Sequence, residues 1–121
     1  MLDGGESQNS QAVRRKAIIS ALQAAKHVLP MFEEQFPSDD RPRNAIKAGH
    51  DWYEGRVTMQ VARVAAFGSH AAARLTVNPA ACAAARSAAH AAATAHVVGH
   101  ADAAIKYAAL AQRIAGKEVC K

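Results

Sequence analysis

An alanine-dominated stretch from Ala71 to Tyr107 constrains this chain more than any other feature, and His90, His96 and His100 punctuate it. Alanine is the best helix former and carries little bulk, so the segment reads as helix able to pack very closely against its neighbours. About a quarter of the 121 residues are alanine, so the hydrophobic share of 50% overstates the area that can be buried. Bulk has to come from a limited set that includes Leu22, Phe32, Ile46, Trp52, Phe67 and Leu75. A domain with so little bulk would gain from dimerising through an alanine face, which makes a homodimer one expectation.

The helical signals then follow in order. Met1 to Asn9 has no periodicity and reads as a loose terminal segment, leaving 10–121 as a single helical domain. A first helix is expected from Ser10 to His27, with Val13, Ala17, Leu22 and Ala24 or Ala25 turned inward. Pro30 should end or kink it, with a short helical piece over Met31–Phe36. Ser38, Asp39 or Asp40 caps the next helix, and Pro42 sits in its first turn. There Ala45, Ile46, Gly49, Trp52 and Tyr53 share one face, Lys47 and Asp51 pair four apart, and Gly55 stops the helix. Thr58 caps a third, whose steps of three and four place Val61, Val64, Gly68, Ala71 or Ala72, and Leu75 on a buried stripe. Arg63, Phe67, His70 and Arg74 form a second stripe beside it. Asn78 and Pro79 start a helix running through His96 to a break at Gly99, and the last helix spans Ala101 to Ala115 before Gly116. The fold class is all-α, a compact array or bundle of five to six helices with short connections.

Charge and chemistry exclude much. The net charge is +5, but the cations are scattered apart from Arg14-Arg15-Lys16, which argues against a nucleic-acid face. No apolar run is strong enough for a membrane, and with no signal peptide the expected compartment is the cytoplasm. Cys82 and Cys120 have neither metal nor redox spacing; Cys82 reads as a buried, inert thiol. Val97 follows His96 where a zinc protease needs glutamate, and Ser69 next to His70 on a helix cannot face it. No enzyme and no cofactor is expected. His90 and His96 fall on different sides of one helix, whereas His90 and His100 agree better in azimuth but lie apart along it. The candidate binding residues are Arg41, Arg43, Trp52, His70, Arg74, His90, His96 and His100. Arginine and tryptophan are favoured at interfaces, and the four histidines supply the alternative, a metal- or small-ligand-binding domain.

Several blocks carry a resemblance. His27-Val28-Leu29-Pro30-Met31-Phe32-Glu33, Asp39-Asp40-Arg41-Pro42-Arg43-Asn44-Ala45-Ile46 and Ala65-Ala66-Phe67-Gly68-Ser69-His70-Ala71-Ala72-Ala73-Arg74 resemble the Imm-five-like immunity protein family of bacterial polymorphic toxin systems. The most specific block is Ala88-Ala89-His90-Ala91-Ala92-Ala93-Thr94-Ala95-His96-Val97-Val98-Gly99-His100-Ala101. Gly68 and Ser69 stand where alanine is commoner in that pattern. The resemblance implies a cytoplasmic helical protein that binds a cognate protein toxin and blocks it, and it names no catalytic residue; the expected mechanism is occlusion by a rigid helical surface.

Overall fold

The computed structural model describes residues 8–119, and these form five α-helices and no strand: α1 (Gln8–Glu33), α2 (Arg41–Tyr53), α3 (Met59–Arg74), α4 (Pro79–Ala93) and α5 (His100–Val119). The all-α expectation holds. The first helix begins at Gln8, and most of the expected loose segment, residues 1–7, lies outside the described residues, as does Cys120.

α1 passes through Pro30 without ending, which merges two expected pieces into one. A proline leaves the carbonyl four residues earlier without a partner. That residue is Lys26, exposed like Pro30 itself, so water can satisfy the carbonyl. The buried stripe of α1 is Arg14, Ile18, Ala21, Leu22, Ala25, Val28, Leu29 and Phe32. Val13, expected inside, is 54% exposed. Its place on the stripe is taken by Arg14, whose Nε donates to the Ala95 carbonyl at 2.9 Å.

α2 follows its sequence signals except at its start, where Asp40 at the N-cap makes no side-chain cap bond and Asp39 Oδ1 instead accepts from Arg41 N at 3.1 Å. Pro42 occupies the first turn, Ala45, Ile46, Gly49 and Trp52 are buried, and Lys47 meets Asp51 at 2.8 Å. Gly55, with φ at +79°, ends the helix in a conformation that costs glycine little. Close approach explains Gly49: a Cβ there would stand 2.8 Å from Leu22 Cδ2.

α3 is capped by Thr58, which accepts from Val61 N, but it packs on neither of the two expected stripes. Ala62, Ala66, Ser69, Ala72 and Ala73 are buried, whereas Val61, Val64 and Leu75 are exposed. The spacing was right and the face was wrong. α4 is too alanine-rich to accept branched side chains, so α3 turns its smallest residues towards it and gains close backbone contact instead.

α4 ends at Ala93, before the expected break at Gly99. Thr94 Oγ1 donates back to the His90 carbonyl at 3.0 Å, and the chain turns through Ala95–Gly99 into α5. Gly116 does not stop α5, which runs to Val119.

The arrangement is a ring around α4. That helix packs against all four others, and the outer helices follow the spatial order α3, α2, α1, α5. The ring does not close, because α3 and α5 do not touch. Ser69 and Ser87 tie the layers: Ser69 Oγ donates to the Ala85 carbonyl at 2.8 Å, and Ser87 Oγ to the Ala104 carbonyl at 2.7 Å. The alanine surface of α4 is thus spent inside the bundle, not left as a face for a second copy.

Candidate functional site

From Ala80 onward every residue of α4 is buried except Cys82, Arg86, His90 and Ala93. Those positions recur at helical steps of three and four, so they form one strip, and it opens through the gap between α3 and α5. Cys82 is therefore partly exposed, not buried as its alanine surroundings suggested.

His70 reaches the strip from α3, and His100 and Tyr107 reach it from α5. The Arg86 guanidinium lies 2.6 Å from His70 Nδ1. An arginine only donates, so His70 Nδ1 accepts and its proton sits on Nε2. His90 Nδ1 and His100 Nδ1 are 2.8 Å apart, so one ring donates and the other accepts. The rings of His70 and His90 meet edge to face at 4.9 Å, and Tyr107 stacks on His90 at 5.4 Å.

All three imidazoles resist protonation. Burial pushes His70 down to about 4, helped by His90 and the nearby Arg86 and Arg74. Burial also lowers His90, with His100 and Arg86 adding to it, and burial then His96 lower His100. With its imidazoles held neutral near pH 7, the cluster carries its positive charge on the Arg86 guanidinium.

The remaining candidates lie elsewhere. Arg41 grips Asp39 with two bonds, at 2.9 and 2.7 Å. Arg43 holds Glu33 with two bonds of 2.7 Å. Trp52 is 6% exposed, inside the core, with Arg14 above its ring. His96 sits in the α4–α5 turn, its Nδ1 3.4 Å from the Met59 sulfur, outside the ring contacts that join the other three histidines. Arg74 is exposed in the last turn of α3. Among the described residues no set of three or more His, Cys, Asp or Glu is placed to hold a metal ion. Ser69 is fully buried and engaged with a backbone carbonyl, so it has no nucleophilic geometry.

The family model described as "Imm-5 like putative immunity protein" matches residues 7–121. The chain belongs to this family. Neither the curated proteins nor the solved structures include a match to it. The matched span takes in all five helices and the gap between α3 and α5.

Arg86 and Tyr107 are the site members that sequence reading missed. A signal for the first was present. No Asp or Glu occurs from Gly55 to Ala101, yet that stretch contains Arg56, Arg63, Arg74 and Arg86. The basic residues of α3 and α4 are thus not interleaved with acids, as the whole-chain count suggested. Tyr107 carried no such signal, because its role depends on how α5 folds back.

Proposed function

We propose that this protein is a non-catalytic immunity protein that binds a cognate bacterial toxin in the cytoplasm and blocks it by occlusion. One observation carries the mechanism beyond family membership. The bundle is closed on every side of α4 but one, and that side combines arginines, imidazoles and a tyrosine with the 54% exposed Phe67 one turn before His70. Arginine and aromatic residues clustered at a partly desolvated spot are the usual anchors of a protein interface. No carboxylate pair, activated nucleophile or phosphate loop accompanies them, so the surface is suited to covering a partner and not to transforming a substrate. Among the described residues no helix is long and apolar enough to cross a membrane.

A second reading, a metal- or small-ligand-binding helical domain, draws on the three imidazoles that meet at the gap. The Arg86 cation beside His70 opposes a metal ion there.

The test is affinity purification of the tagged chain from its native host, with mass spectrometry and metal analysis of the eluate. A stoichiometric partner is then expressed alone and together with this chain. The expected result is growth arrest by the partner, relieved by co-expression. A chain that carries one metal ion and no partner would overturn the proposal.

A further inference from the structure

Among the described residues, several cations are paired with acids. Arg41, Arg43, Lys47 and Arg56 each face a carboxylate, from Asp39, Glu33, Asp51 and Asp51 respectively. Arg86 does not. It is half-buried in the open strip of α4, and its bonded neighbour is the neutral His70 ring. Of the described residues, none with a carboxylate approaches it. Asp102, the first acid after Glu54, is exposed and lies about 200° around α5 from His100. Partial burial of a cation without an anion is costly, and the cost is recovered when a partner supplies one.

We infer that the gap between α3 and α5, at His70, Arg86, His90 and His100, receives an acidic side chain of the protein partner. This rests on the immunity reading above and gives the partner its chemistry. Arg86 uses part of its donor set on His70 and keeps donors to spare, and the His70 ring retains an Nε2–H. In the His90–His100 contact the accepting ring also retains its Nε2–H. A carboxylate accepts several such bonds at once, and charge-assisted bonds are the stronger kind. Phe67 on α3, with Arg63 over its ring at 5.2 Å, supplies apolar contact one turn away. Nucleic acid fits less well. Phosphate backbones are held by rows of permanent cations, whereas this strip holds one guanidinium among imidazoles that burial keeps neutral.

Proton linkage gives the site a signature. A bound carboxylate favours imidazolium at His90 and His100, against the opposing influence of Arg86, His70, Arg74 and His96, with Tyr107 stacked alongside. The complex then binds more protons than the free protein, so affinity rises as pH falls from neutral.

The first experiment is a titration of the full chain, labelled at histidine, with N-acetylglutamate N-methylamide at constant ionic strength, read by imidazole NMR. The glutamine analogue, inorganic phosphate and a short single-stranded RNA are run in parallel. The expected result is a shift of the His70, His90 and His100 signals with the glutamate compound, steeper at lower pH, and none with glutamine. Arg86→Gln should abolish the shift and Arg86→Lys should restore part of it. With the toxin captured as above, Arg86→Gln should raise Kd about tenfold, while Lys26→Gln on the exposed side of α1 leaves it unchanged. Equal shifts with glutamine, a stronger response to phosphate or RNA, or full toxin affinity in Arg86→Gln would each overturn the inference. Failure to find any toxin would sink the immunity reading, while the imidazole titration still decides the carboxylate site.

Discussion

Arg14 shows how a single side chain can mislead a reading by residue type. Within Arg14-Arg15-Lys16 it looks like part of a solvated basic run, yet it is 6% exposed, bonded to Ala95 O and to Ser10 Oγ at 3.0 Å. It staples α1 to the turn after α4 while its guanidinium lies over the Trp52 ring at 5.8 Å, so it contributes a cation–π contact and a hydrogen bond together. Arg14→Ala should cost about 2 kcal/mol, measured by urea unfolding, whereas Lys16→Ala, on the exposed side of α1, should cost less than about 0.5 kcal/mol. The histidines define a second effect at this scale. Each of His70, His90 and His100 has a folded pKa below the ordinary 6.5, so the unfolded chain binds more protons. Their contribution is fully present above 6.5 and is lost as pH falls towards about 4, the value for His70. The Tm should therefore drop across that window in scanning calorimetry, and His70→Gln should flatten the drop.

Two elements behave differently from their sequence signals, for opposite reasons. In α1 the helix persists through Pro30 because packing on both sides, at Val28, Leu29 and Phe32, outweighs one lost backbone bond. Pro30→Ala should stabilise the protein by about 1–2 kcal/mol, the helix-interior penalty of proline less the entropy it removes from the unfolded chain. A lower denaturation midpoint in that variant would contradict the account. In α4 the alanines set a limit. Ala84, Ala85, Ala88, Ala89, Ala91 and Ala92 are 0% exposed, so added volume has nowhere to go. Ala88→Leu should cost about 3 kcal/mol or prevent folding, whereas Cys82→Ser on the open strip should leave the unfolding curve within about 0.5 kcal/mol of the parent. Caps and turns were the most legible features, since Thr58, Asn78, Pro42 and Gly55 act through local geometry alone. The buried face of α3 was not legible. Steps of three and four also fit the buried set Ala62, Ala66, Ser69 and Ala73, which neither expected stripe contained, and only the smallness of the neighbouring α4 selects it.

For the molecule as a whole, a net charge of +5 combined with an acid-free stretch over α3 and α4 gives the open side a one-signed field. Association with the toxin should be steered by it, so the on-rate should fall several-fold between low and physiological salt, with a smaller change in the off-rate, in stopped-flow measurements. An on-rate insensitive to salt would place the interface elsewhere. By itself the sequence determined an all-helical chain, its caps and most of its helix boundaries, the close packing implied by alanine, and the blocks that carry the family resemblance. These follow from local propensity and short-range periodicity, which operate within a few residues. The site was decided only by the tertiary structure. His90 and His100 read as distant points on one helix, but the turn at Thr94–Gly99 folds α5 back and brings their rings to 5.0 Å. His70, Arg86 and Tyr107 join them because α3 and α5 flank α4 without touching. His96, no less prominent in the sequence, is left out because it lies in the turn itself. Which groups meet is set by the order of helices around α4, a long-range packing outcome that no local pattern along the chain encodes.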